Sequence, residues 1–157
     1  MKAVFRLDWA GFSGRLLLTL AFLLPGVALL ARVYLQPDAA LAEAFPDADL
    51  EKIRVYLSET QAGNIEEQTG AVNLSRFYTF YRAAQNGRTI GYAVFDTHRV
   101  RTKDETLLIS INPDGTLRGI RVISFFEPEE YLPPERWLNL LGGKTGMDAL
   151  APGADLP

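Results

Sequence analysis

Two stretches decide the fold: YTFYRAAQNGRTIGYAVFDT, residues 78–97, and ETLLISINPDGTLRGIRVISFFEPEEYLPPERWLNLLGGK, residues 105–144. In the first, Asn86-Gly87 separates two runs rich in alternating apolar residues. A two-residue type I′ turn needs positive φ at both of its positions, which Asn and Gly tolerate best, so a hairpin is expected there. Phe77 to Ala83 carries aromatics on both alternations, and both faces of that strand are expected to be covered. Ile90, Tyr92 and Val94 form one face of the return strand, and Leu107, Ile109 and Ile111 one face of a third. Asn112-Pro113-Asp114-Gly115 reads as a turn, with Gly supplying the positive φ. Leu117 to Phe125 is then the fourth strand, and the charged segment His98–Glu105 a long exposed loop or ribbon tip. The expected fold class is α+β: an antiparallel sheet with short helices packed against it.

After the last strand comes Glu127-Pro128-Glu129-Glu130-Tyr131-Leu132-Pro133-Pro134. Pro134 suits the first turn of a helix and Glu135 its positive end. Trp137, Leu138 and Leu141 would share a face of that helix, and Gly142-Gly143 would end it. Residues 144–157 read as loop. Before the meander, Asp38 is expected to cap a short helix over Ala39–Phe45, stopped by Pro46. Leu50, Ile53, Val55 and Leu57 make an apolar segment, helical at first and extended by its end. Ser58 followed by Gln61 is a capping-box spacing that opens a polar helix running to Thr69 and closed by Gly70.

The amino terminus differs in kind. Leu16 to Ala31 carries no charge, and with Arg32 snorkelling the apolar run reaches Leu35, close to the ~20 residues of a spanning helix. Pro25-Gly26 is tolerable within such a helix. Lys2, Arg6 and Arg15 lie before it, and the acidic stretch Asp38–Glu51 after it. The positive-inside rule then gives a cytoplasmic tail over 1–15, a single transmembrane helix over 16–35 and an extracytoplasmic domain over 36–157. The expected location is the inner, cytoplasmic membrane. Two other readings compete. One is a cleaved signal peptide, for which Ala42-Glu43-Ala44 has the small-x-small pattern but lies far beyond the apolar core; the other is a buried helix.

Composition narrows the chemistry. The chain has 157 residues, 48% hydrophobic and 22% charged, enough for one globular domain and an anchor. Acidic groups outnumber basic ones in the body, which argues against nucleic-acid binding. There is no Cys, so disulfides, thiolate iron–sulfur ligation, CxxCH haem attachment and thiol catalysis are excluded. No nucleophile–base pair is recognisable. The single His, His98, lies in a charged loop and reads as solvent-facing. Glu127, Glu129 and Glu130 read as a solvated acidic turn rather than a cation site, and no metal site is expected. Gly142-Gly-Lys-Thr lacks the spacing of a phosphate-binding P-loop.

Gly91-Tyr92 after the hairpin, Asp114-Gly115 before the last strand and Glu127-Pro128 after it are landmarks of a known pattern. On these, residues 41–157, and 79–141 best of all, resemble the extracytoplasmic FMN-binding domain family. That family includes flavin subunits of the sodium-pumping NADH:quinone reductase, Rnf-type complexes and nitrous-oxide-reductase regulators. The resemblance implies FMN as cofactor and a membrane-anchored electron-transfer protein, a subunit of a membrane redox complex rather than a stand-alone enzyme. Family members join the flavin phosphate to a Thr in a Ser-Gly-Ala-Thr motif; covalent attachment here would need a Thr beyond Pro157. Many members carry Glu-Thr-Pro-Gly after the last strand, lining the flavin. Here Glu127-Pro128 is followed by a divergent run that lacks the Thr and Gly. Within the implied site, Tyr131, Leu132 and Trp137 among three prolines suit a rigid wall for a planar heterocycle. Arg136 would favour the reduced anion or the phosphate. The expected flavin contacts are therefore Glu127, Tyr131, Leu132, Arg136 and Trp137. For Trp137 the competing role is plugging the open end of the sheet with Leu138 and Leu141. The alternative function is a flavin-free accessory subunit holding a membrane complex together.

Overall fold

Asn86 and Gly87 have φ of 51° and 75°, the two positive values that a type I′ hairpin demands. Around this turn the computed structural model builds the rest of the sheet; it describes residues 32–72, 74–146 and 148. In chain order the elements are β1 (Arg32–Val33), α1 (Pro37–Ala44), β2 (Asp49–Tyr56), α2 (Glu59–Thr69), β3 (Phe77–Gln85), β4 (Arg88–Arg99), β5 (Asp104–Ile111) and β6 (Leu117–Phe125). A 3₁₀ turn at Glu129–Tyr131, the short α3 (Glu135–Leu138) and a second 3₁₀ turn at Asn139–Leu141 follow. Among the described residues the strands form one sheet in the order β1-β6-β5-β4-β3-β2, antiparallel at every pairing. The expected α+β class and its meander are present, extended by a strand at each edge.

Those two edge strands depart from expectation. The segment from Leu50 was expected to begin as a helix. It is instead strand throughout β2, pairing with β3 from Asp49↔Ala84 to Tyr56↔Phe77. The Leu50–Ile53 spacing suits a helix, but Ile53 and Val55 are β-branched and alternate with charged residues, and pairing with β3 satisfies one whole side of the backbone. At the other edge Arg32 and Val33 pair with Phe125 and Ser124, and the Tyr34 amide donates to the Ile123 carbonyl at 2.9 Å. Arg32–Leu35, the end of the expected transmembrane segment, is therefore not helical; the rest of that segment and the expected cytoplasmic tail lie outside the described residues. Among the described residues no helix is long and apolar enough to cross a membrane.

The helices follow local chemistry. Ser58 accepts from the Gln61 amide while the Gln61 side chain accepts from the Ser58 amide, the capping box expected from the spacing, and Gly70 ends α2 in the left-handed region. For α1 the cap is Gln36 rather than Asp38. Pro37 takes the first helical position, where its missing N–H costs nothing, and Asp38 moves into the first turn beside the positive helix end.

α1 covers one face of the sheet. Ala40, Leu41 and Phe45 form the core with Ala83, Ala93, Leu108 and Ile123. Tyr81 packs edge-on against Phe95 at 5.7 Å on this face. The core is close because its centre is small. A methyl group on Gly91 would lie 2.5 Å from Cε1 of Phe45 and 2.7 Å from the Ile111 carbonyl oxygen. The Arg118 guanidinium lies 5.0 Å from the centre of the Phe45 ring. The opposite face carries the expected alternation, Tyr92↔Ile111 and Val94↔Ile109, with Tyr78 and Phe80 on the neighbouring strand. These side chains are half-buried.

Two substitutions test this core by denaturant unfolding. Phe45→Ala should cost about 3–5 kcal/mol, the usual range for emptying an aromatic site. Gly91→Ala should cost about 1–3 kcal/mol through overpacking against the ring and the carbonyl. A neutral or stabilising Gly91→Ala would contradict the close approach of α1.

Candidate functional site

The segment after β6 runs back along the outer side of that strand. Glu127 begins it at the Phe125 end. Its Oε1 accepts from the Lys103 amide at 2.7 Å, the Thr102 hydroxyl at 3.0 Å and the Thr102 amide. The Thr102 amide above all, then the Lys103 amide, the Thr102 hydroxyl and the Arg101 charge, hold the Glu127 carboxyl below its ordinary value. Glu127 is thus a strut that ties the β4–β5 ribbon tip to the post-β6 loop. That tip is a short turn, because β4 runs on to Arg99 and β5 starts at Asp104. Of the two forms expected for His98–Glu105, a long loop or a ribbon tip, it is the ribbon tip that is present, with 100–103 as its turn.

Tyr131, exposed in its 3₁₀ turn, meets the same tip: the Arg101 guanidinium lies 4.4 Å from its ring centre. Leu132 is half-buried. Farther along, α3 places Arg136 in solvent, Trp137 half-buried and Leu138 buried. Glu135 accepts from Arg121 at 3.0 Å, and Arg121 also pairs with Glu43 of α1 at 3.6 Å. Of the five expected flavin residues, Glu127 and Tyr131 gather at the ribbon tip, Leu132 follows half-buried, and Arg136 and Trp137 lie on α3, whose Glu135 is tied to Arg121 of β6. Arg101 joins the first two and was missed by sequence reasoning, since its contact depends on the tip folding back over the loop.

A different set of residues encloses an apolar cavity. Ile109 and Ile111 of β5, Leu117 and Ile120 of β6, Gly115 of the connecting turn, and Leu141 with Lys144–Gly146 surround about 240 Å³. The C-terminal segment is held there by backbone pairing: the Gly143 amide donates to the Leu117 carbonyl and the Leu117 amide to the Lys144 carbonyl, at 2.8 and 2.7 Å. Thr145 is fixed in turn by Asp148, whose Oδ2 accepts from the Thr145 hydroxyl at 2.9 Å. This cavity lies on the half-buried sheet face. The sequence signal for it was the alternation Leu107, Ile109, Ile111, together with Leu141 on the helix face.

A second cavity, of about 210 Å³, is polar. Glu43, Ser110, Arg118, Arg121, Glu135 and Asn139 contribute to it. Its charges are largely matched within the protein, because Arg121 bridges Glu43 and Glu135. Among the described residues no group of His and carboxylate side chains is arranged to hold a metal ion.

The Glu127 strut gives a pH-dependent prediction. A depressed carboxyl contributes stability above the unfolded value of about 4.3 and loses it as pH falls through the lower folded value. Hydrogen exchange at the Thr102 and Lys103 amides should therefore lose protection on acidification below about pH 4. In Glu127→Ala that protection should already be absent at neutral pH; unchanged exchange in the variant would show that the carboxylate is not the restraint. Comparison of the chain with protein-family models, with curated proteins and with solved structures found no match to any of the three.

Proposed function

We propose that the protein is an FMN-binding electron-transfer protein, anchored to the cytoplasmic membrane by the uncharged run Leu16–Ala31 and working as a subunit of a membrane redox complex, with its body outside. The landmarks Gly91-Tyr92, Asp114-Gly115 and Glu127-Pro128 support this reading through the resemblance they carry. The observation that carries it furthest is the aliphatic cavity between β5, β6 and the Leu141–Gly146 segment. A planar, mostly apolar ring with one polar edge fits such a wall. At about 240 Å³ the cavity is smaller than the ~300–1,000 Å³ of a fully enclosing ligand site, so it would take one end of the ring and leave the rest open. An open edge suits a carrier that must meet a donor and an acceptor in turn.

Bound flavin would supply the one- and two-electron chemistry; the chain's own task is to hold and orient it. In this reading Ile109, Ile111, Leu117, Ile120 and Leu141 hold the apolar end. Lys144, Thr145 and Gly146 close the side of the cavity opposite the strands. Arg136 remains a candidate for an outer contact, whereas Tyr131 lies at the ribbon tip, at the far end of β6 from the cavity.

A flavin-free accessory subunit is the second reading. It is favoured by one observation: Glu127 and Tyr131, expected at the flavin, are already engaged by Thr102, Lys103 and Arg101. Titration of the purified full chain with FMN, followed by flavin fluorescence, separates the two. The carrier predicts saturable quenching, weakened at least about tenfold, or ~1.4 kcal/mol, by Ile120→Glu. Arg136→Ala should shift the bound flavin's potential or emission and leave thermal stability nearly unchanged, whereas Tyr131→Ala, at the far end of β6, should leave the flavin signal as it is. No quenching at any concentration would support the accessory role. Protease added to right-side-out vesicles should digest the body, and protection of the body would overturn the assigned orientation.

A further inference from the structure

At the ribbon-tip end of the half-buried sheet face the apolar side chains give way to a polar row. His98 of β4 stands opposite Glu105 of β5, and Glu105 stands opposite Phe125 of β6. His98 Nδ1 lies 2.8 Å from Asp96 Oδ2, and His98 Nε2 lies 3.4 Å from Glu105 Oε2. Glu105 is only 5% exposed, and its Oε1 is buried without a hydrogen-bond partner. Asp96 and His98 are themselves exposed.

The hydrogen count of this arrangement does not close with every group in its common neutral-pH form. A neutral imidazole has one N–H, which can serve Asp96 or Glu105 but not both. The second contact needs one more proton, either on the imidazole or on the Glu105 carboxyl. Burial favours the same outcome, since an ionised carboxylate with an unpartnered oxygen is costly away from water. We propose that Asp96, His98 and Glu105 form a proton-binding site, in which one proton is held in common by His98 Nε2 and Glu105 and whose release to solvent loosens the β4–β5 ribbon. On release the cluster passes from a net charge of −1 to −2, with Glu105 left ionised and buried.

Among the described residues the surroundings offer no other compensation. On β3, Tyr78 lies beyond Asp96, and its hydroxyl is pushed upward by burial and by the Asp96 charge. Arg99 and Asp104 pair with each other across the same ribbon. Lys103 and Arg101 sit in the tip, where Glu127 and Tyr131 engage the turn. Across β6, Phe125 brings no charge, and Arg32 opposite it pairs with Glu129. Among the described residues His98 is thus the one basic side chain within ion-pair distance of Glu105. Burial raises the Glu105 carboxyl above its ordinary value, with the His98 charge and hydrogen bond opposing the shift and Asp96 adding to it. The sign follows. For a raised group the stabilising contribution is complete below the unfolded value and is lost as pH rises through the folded one. This is the reverse of Glu127, so the two effects at the ribbon tip are separable by pH.

The chain contains one His, so its ring signals need no assignment by mutation. The test is a pH titration of the ¹⁵N-labelled His98 ring in the full-length protein. Two steps are expected in the parent chain, reporting the coupled protons of the cluster. Glu105→Gln should leave a single step. Asp96→Asn changes an exposed side chain and should move the Glu105 step to lower pH, because the Asp96 charge raises it; it carries the test if Glu105→Gln fails to fold. Unfolding in denaturant should show stability falling as pH rises in the parent, and this slope should be reduced in Glu105→Gln. A single step with the same midpoint in the parent and in whichever variant folds would overturn the proposal.

Discussion

The close seating of the Phe45 ring on a patch of the sheet that lacks side-chain bulk is the constraint on which the rest depends. Ala83, Gly91 and Ala93 clear the middle of β3 and β4, and α1 sinks into the space so made. Because Phe45 is 1% exposed and fills that space, the helix has one seat and one depth. Its Glu43 then comes within reach of Arg121 on β6, which in turn holds Glu135 of α3. One aromatic side chain thereby sets the position of the helix layer. The C-terminal segment that walls the aliphatic cavity is held separately, through the backbone pairing at Leu117.

The two faces of the sheet divide the work. The face under α1 is dense and closed, built from small residues against one large ring. The other is half-buried, carrying aliphatic side chains along most of its length and a charged row at one end. An antiparallel sheet tolerates this asymmetry because alternate side chains point to opposite sides. On that open face the cavity beside Leu141 and the Asp96–His98–Glu105 row lie toward opposite ends of β5.

The turns and the alternation were legible in the sequence. Asn86-Gly87 predicted its hairpin because few residue pairs accept two positive φ values, and Ser58/Gln61 predicted its capping box because the spacing serves little else. β2 was misread in part because a strand with one side in solvent is defined by its neighbour, and β3 lies more than twenty residues away in the chain. Arg32–Val33 was hidden in the same way: two residues cannot announce a strand, and the apolar run before them pointed elsewhere. The implied site fared differently at each end. Tyr131 lies in a loop as expected, but the guanidinium over its ring comes from Arg101, across a turn that sequence spacing does not bring near. His98 was read as a solvent-facing residue in a charged loop. It is exposed, but its position opposite Glu105 depends on strand register, which the charged segment alone does not declare.

The two-residue strand β1 has a mechanical consequence. It joins the sheet through a few hydrogen bonds near Ser124 and Ile123, immediately before α1. A pull on the chain ahead of Arg32 would load those bonds first. The next link is the Gln36–Pro37 junction, and beyond it lies the Phe45 seat. Tension would thus be borne in series, with the weakest link outermost and the core last. A short strand of this kind acts as a fuse: it can part and re-form under load while the sheet behind it keeps its shape.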